Sequence, residues 1–140
     1  WLHAEYDGYL SLNPLLVGTT APPEDLSGFR LANAPKVLGD ASVQYTIPMT
    51  NGALKLRYDL RYNSGWYGDA FHNLGSHQKA YATHAARVSY QFDNYEIGAF
   101  VDNFTNEIYA DNRFSFSSTS NVIAMWAPRR TWGVFVNADF

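Results

Sequence analysis

The sequence predicts an all-β protein made of antiparallel, up-and-down transmembrane β-barrel strands. Three observations predict it. Apolar and polar side chains alternate with period 2 in segment after segment. Short turns fall at one end of the implied sheet and long loops at the other, the asymmetry of outer-membrane barrels. Tyr, Trp and Phe recur at the ends of the apolar rows with smaller aliphatics between them, as in the aromatic girdles at membrane interfaces.

The elements follow in order, about six strands in all. Leu2 to Tyr9 sets Leu2, Ala4 and Tyr6 against His3, Glu5 and Asp7. Val37 to Ile47 sets Ala41, Val43, Tyr45 and Ile47 against Asp40, Ser42, Gln44 and Thr46. Leu54 to Asn63 is the clearest: every even position is Leu or Tyr, and every odd one is charged or an amide. Ala82 to Phe92 places Ala86, Val88, Tyr90 and Phe92 opposite Arg87, Ser89 and Gln91. Tyr95 to Asp102 alternates Tyr95, Ile97, Ala99 and Val101 with Glu96, Gly98, Phe100 and Asp102. Thr131 to Phe140 puts Trp132, Val134, Val136, Ala138 and Phe140 on one face, with Phe135 as the exception on the other. A helix would mix these two sets around its circumference.

Two connections are short: Asp93-Asn94, a tight-hairpin pair, and Pro48 to Gly52 with its Asn-Gly signal. Three are long, roughly Leu10 to Lys36, Gly65 to Lys79 and Asn106 to Pro128. Structureless loops of that length are uncommon in compact soluble domains.

Composition agrees. The 140 residues carry 16% aromatics and 16% charged residues, the latter below the ~25% of soluble domains. So many aromatics argue against disorder. With no cysteine, disulfides and thiolate metal sites are excluded. A net charge of −3 offers no basic excess for phosphates, so nucleic acid is not an expected partner. No run of ~18 apolar residues suggests a transmembrane helix, and no signal-peptide pattern opens the chain. A start at Trp1 rather than Met suits a mature product or a piece of something longer.

In a membrane barrel the apolar rows meet lipid and the polar rows line the lumen. That assignment makes Lys55, Arg57, Asp59, Arg61, Arg87 and Glu96 lumen-facing. Alternation alone fits a soluble sheet equally well, and the girdles and loop asymmetry favour the membrane.

Four stretches carry a family resemblance. Leu31-Ala32-Asn33-Ala34-Pro35-Lys36 resembles an Asn-Ala-Pro lead-in to a downward strand. Val101-Asp102-Asn103-Phe104-Thr105-Asn106-Glu107-Ile108-Tyr109 resembles a characteristic strand end, with Phe104 where Leu is commoner. Ala127-Pro128-Arg129-Arg130-Thr131-Trp132-Gly133-Val134 resembles the start of a final strand, and Phe140 resembles the terminal assembly signal. Together they resemble the C-terminal end of a TonB-dependent outer-membrane receptor. The resemblance implies that residues 1–140 supply about six C-terminal strands of a roughly 22-stranded barrel whose plug domain is absent here. It implies the bacterial (Gram-negative) outer membrane. It implies TonB-dependent uptake of a scarce ligand, such as a ferric siderophore (iron uptake), cobalamin or a carbohydrate. The expected partners are outer-membrane lipid, the rest of the barrel and its plug, TonB through that plug, and the barrel assembly machinery that reads Phe140. The alternative is a small self-contained barrel acting as adhesin, passive pore or membrane enzyme, with strands hidden in Leu10 to Val17 and Phe114 to Met125. A soluble β-sandwich is the more remote reading.

The chemistry-bearing residues point away from catalysis. There is no Gly-x-Ser-x-Gly, and Ser89 and His84 fall on opposite faces by alternation. No enzyme activity, cofactor or metal is expected. Asp69, His72 and His77 share a loop but lack the fixed ligand set a metal needs. His84 and His3 read as strand residues that pack or face the lumen. Glu24, Asp25, Asp102 and Glu107 lack calcium-loop spacing. Trp66, Tyr67, Phe71, Phe114, Phe116 and Trp126 are the loop aromatics that would contact a ligand.

Overall fold

The computed structural model describes residues 1–16, 18–116 and 121–139, with backbone alone at 115, 116 and 121. Phe140 lies outside the described residues. The strands are β1 (Leu10–Ser11), β2 (Glu24–Asp25), β3 (Leu38–Met49), β4 (Gly52–Asn63), β5 (Trp66–Tyr67), β6 (His77–Gln78), β7 (Tyr81–Phe92), β8 (Tyr95–Asp102), β9 (Ala110–Phe116), β10 (Asn121–Trp126) and β11 (Thr131–Ala138). The one described helical segment is a single 3-10 turn at Pro14–Leu16. No helix among the described residues is long and apolar enough to cross a membrane.

β3, β4, β7, β8 and β11 form one sheet in the order β11-β8-β7-β4-β3. It is not closed, and β3 and β11 are its edges. Strands of eight and twelve residues bracket the ~9–11 that a tilted strand needs to span a bilayer. The chain divides into two units. One holds most of this sheet: Gly39–Tyr62, Ala82–Glu107 and Pro128–Phe140. The other is built from the loop segments Trp1–Leu38, Asn63–Tyr81 and Ile108–Ala127.

The register turns alternation into continuous rows. Apolar rows run Ala86–Val101–Trp132, Val88–Ala99–Val134, Tyr90–Ile97–Val136 and Phe92–Tyr95–Ala138 across β7, β8 and β11. Polar-face rows run Arg87–Phe100–Gly133, Ser89–Gly98–Phe135 and Gln91–Glu96–Asn137. The apolar face has no cover: Val134 is 78% exposed, Trp132 77% and Val136 67%. Among the described residues, the buried hydrophobic side chains are Leu26, Trp66, Ala110 and Ala127. All four belong to the loop unit. The sheet therefore has no apolar core of its own.

Phe135, the exception to alternation, has a structural explanation. Gly98 lies opposite it, and Gly133 lies opposite Phe100. A Cβ built on Gly98 would sit 2.5 Å from the Phe135 ring and 2.7 Å from the Val88 carbonyl oxygen. One built on Gly133 would meet the Phe100 ring at 2.8 Å. Each phenyl thus lies over the bare backbone of its cross-strand glycine, a reciprocal pairing that only glycine permits.

Several boundaries differ from expectation. Leu2 to Tyr9 forms no strand. Glu5 and Tyr6 make isolated bridges to Arg30 and Ser27, and Gly8 adopts a φ of 61° that ends any extended run. His3 is accordingly not in a strand. The Pro48 to Gly52 turn is tighter than read, because β3 continues through Pro48 and leaves Thr50-Asn51 as the turn. Proline is tolerated there because β3 is an edge strand and a missing N–H costs no ladder bond. The long loops carry short strands: β1 pairs with β2, β5 with β6 and β9 with β10. The β9–β10 pair occupies most of the predicted Asn106 to Pro128 loop and makes its own two-stranded sheet.

Asn103 closes the end of β8. Its φ is 48°, and its amide accepts from the Glu107 N–H at 2.9 Å and donates to the Glu107 carbonyl at 2.9 Å. Asn103→Ala leaves a backbone N–H unpaired and puts alanine in the left-handed region. The expected cost is about 2 kcal/mol, read as a lower denaturant midpoint and faster Glu107 amide exchange.

Candidate functional site

Two arrangements concentrate the polar and aromatic side chains: the polar face of the sheet and a stack of rings in the loop unit.

On the sheet, the residues assigned to the lumen gather on one face. Lys55 Nζ donates to Gln91 Oε1 at 2.8 Å. Glu96 accepts from Ser89 Oγ at 2.7 Å and from Asn137 Nδ2 at 3.4 Å. A polar belt therefore crosses β4, β7, β8 and β11. Arg57 pairs with Asp59 at 2.6 Å and Arg61 with Asp40 at 2.7 Å. Arg87 lies over the Phe135 ring, 5.4 Å from its centroid. These pairs are exposed, so each contributes little stability. Asn63, read as the last residue of this polar row, is instead buried in the loop unit. It accepts from the Gly65 N–H at 2.9 Å and reaches Tyr81 Oη at 3.5 Å.

Ser89 and His84 stand on opposite faces and form no dyad. Ser89 serves Glu96. His84 Nδ1 shares a 2.7 Å hydrogen bond with Tyr58 Oη on the apolar face, beside Phe104. That placement makes His84 a packing residue and removes it from the lumen set.

In the loop unit, Tyr67 and His77 are cross-strand partners in β5–β6, and their rings stack at 4.6 Å. His72, turned back by a φ of 52°, stacks on Tyr67 at 3.7 Å. Phe29 extends the column by stacking on His72 at 4.9 Å. The Arg30 guanidinium lies 5.4 Å from the Tyr67 centroid. His72 Nε2 is 3.1 Å from the Arg30 carbonyl. A carbonyl only accepts, so Nε2 carries the proton and is engaged. Asp69 Oδ1 takes the Asn73 N–H at 3.1 Å. Among the described residues, no three His, Asp or Glu side chains are placed to hold a metal ion.

The other loop aromatics differ in access. Trp66 is 5% exposed and Trp126 is 59% exposed, with Arg113 5.2 Å from a Trp126 ring centroid. Phe71 and Phe114 are half-buried, and the Phe116 side chain lies outside the described residues.

Burial pushes His77 below the ordinary imidazole value, and the positive charges of Arg30, Lys79, Arg113 and His72 add to the shift. The folded state thus holds this proton less tightly than the unfolded chain. The associated stability is full above the unfolded value of 6.5 and is lost as pH falls through the lower folded value. Amide exchange across the Tyr67–His77 pair, corrected for its intrinsic pH dependence, is expected to quicken under acid. His77→Gln should flatten that response.

The structure resembles a solved one: the crystal structure of the ferric yersiniabactin uptake receptor FyuA from Yersinia pestis. The match has a TM-score of 0.74 at 25% sequence identity, covering 84% of this chain and 18% of that chain. FyuA is a TonB-dependent receptor. The chain has the fold of part of a TonB-dependent receptor barrel. No family model matches the sequence, and no curated protein matches it. The chain spans under a fifth of FyuA's length, which accords with a sheet that does not close. In a receptor barrel the strand edges pair with further strands, and an uncovered apolar face is the normal condition.

Proposed function

We propose that residues 1–140 are the C-terminal portion of a TonB-dependent outer-membrane receptor whose plug lies elsewhere in the polypeptide. The receptor takes up a scarce ligand, a ferric siderophore, cobalamin or a carbohydrate. The observation that carries this reading is the uncovered apolar face of the sheet, and the likeness to an uptake receptor supports it.

In this reading the rows led by Trp132, Val134 and Val136 meet lipid. Lys55, Arg57, Asp59, Arg61, Arg87 and Glu96 face the lumen, where they pair with the plug. Burial against a plug demands such pairing, because an unpaired buried charge is costly. Phe140 is the signal for the barrel assembly machinery. The three long loops face outside, with Tyr67, Phe71, Phe114, Phe116 and Trp126 as ligand contacts. Trp66 is buried and supports the loop from within. No bond is made or broken: the plug moves, driven through TonB.

The chain has no cysteine, so introduced thiols report cleanly within it. Fluorophores at Val88 and Val134 in the full receptor should be quenched by brominated lipid and spared by aqueous iodide. Fluorophores at Gln91 and Asn137 should show the reverse. Equal quenching on the two faces would reject the reading.

A further inference from the structure

The loop unit gathers positive charge in one place. Arg30, Lys79 and Arg113 all act on His77 together with His72, and no carboxylate is among the groups that reach it. Among the described residues, none of these three cations forms an ion pair. Three carboxylates of the same unit are turned to other partners. Glu24 accepts from Asn13 Nδ2 at 3.1 Å, Asp25 takes both the N–H and the hydroxyl of Ser27, and Asp69 takes the Asn73 N–H.

The two arginines are held by rings rather than by acids. Arg30 lies over Tyr67 and Arg113 over Trp126. Arg113 Nη1 also donates to the Gly75 carbonyl at 3.1 Å. A ring contact leaves guanidinium N–H groups to meet oxyanions; in Arg113, Nη1 is engaged and Nε is buried without a partner among the described residues, which leaves Nη2. Like charges concentrated this way repel one another until an anion offsets them. The charge is a matter of placement, since the chain as a whole is net negative.

We propose that this patch binds an anionic, carboxylate-bearing ligand, with Arg30 as its planar donor, Arg113 as a second cation and the exposed Trp126 ring as its apolar platform. The inference rests on the uptake-receptor reading and narrows it, from ligands that include neutral sugars to negatively charged ones. His77 adds a second positive element: an anion beside it favours its protonated form, so binding tightens as pH falls.

The test uses the full receptor in detergent, with trimesate as a planar tricarboxylate probe and neutral trimesamide as its control. Trimesate should quench tryptophan fluorescence saturably at low salt and bind at least roughly tenfold tighter than trimesamide. Its affinity should fall with added salt. Arg30→Gln and Arg113→Gln should each weaken it roughly tenfold, while Arg129→Gln, in the other unit, should not. Arg30→Lys keeps the charge and should fall between. Equal binding of acid and amide by a receptor with an intact, heat-modifiable barrel would overturn this proposal alone. So would Arg30 and Arg113 variants that bind trimesate normally, or that change only the receptor's affinity for anionic lipid vesicles. A receptor that forms no heat-modifiable barrel would overturn the uptake-receptor reading and this proposal with it.

Discussion

Gly98→Val is expected to abolish the assembled barrel or to lower its unfolding free energy by at least about 3 kcal/mol. The added Cβ would meet the Phe135 ring at 2.5 Å and the Val88 carbonyl oxygen at 2.7 Å. The ring can rotate away, but the carbonyl belongs to the adjacent strand and moves only if β7 and β8 separate. Gly98→Ala combined with Phe135→Ala should therefore recover only part of the loss. Gly39→Val is the matched control. It also lies in a strand, but its Cβ would meet nothing within 4 Å, and valine favours extended backbone. Heat-modifiable gel mobility and urea midpoints of the full receptor measure all three. If Gly98→Val and Gly39→Val behave alike, the cross-strand glycine–phenyl pairing has no structural importance.

Val134→Arg is expected to cost about 2–4 kcal/mol, the range for arginine near the bilayer midplane on the lipid face of a barrel. Asn137→Arg, on the polar face beside Glu96, should cost far less. This comparison is sharp because Val134 is already 78% exposed. On a water-facing sheet, an exposed valine changes to arginine within about 0.5 kcal/mol. The same substitution thus differs several-fold in energy according to the solvent that covers the apolar rows. Folding titrations into lipid vesicles measure it, and a neutral Val134→Arg would mean that water, rather than lipid, lies against β11.

What the sequence revealed depended on how local each signal was. Alternation from Leu54 to Tyr62 and from Tyr95 to Asp102 specified strands and faces, because a period of two is visible within a few residues. The Asp93-Asn94 turn was equally legible. The glycine–phenyl pairs were not, because they join β8 to β11 and depend on a register set between distant segments. Phe135 breaks the alternation, and only Gly98 opposite it explains why. Asn63 looked like one more polar-face residue, yet its partner Tyr81 lies eighteen positions away. In the loops, β5 and β6 are two residues each, too short to show a period. The column from Phe29 to His77 unites segments some forty residues apart, so its histidines read only as neighbours in one loop. Leu2 to Tyr9 misled in the opposite sense: it alternates, but Gly8 breaks it and no long neighbour pairs with it.

The two edges of the sheet carry a consequence for how such a polypeptide must be made. β3 and β11 each present a row of backbone N–H and C=O groups that the sheet itself does not pair. Pro48 blunts one of them near its turn, but most of both seams remains adhesive. Copies of this sheet meeting in water would join edge to edge, and their greasy faces would then stack. A segment built this way is hazardous until its neighbours arrive. In the receptor reading proposed above, its survival before insertion depends on being kept unpaired until further strands take up both seams at once.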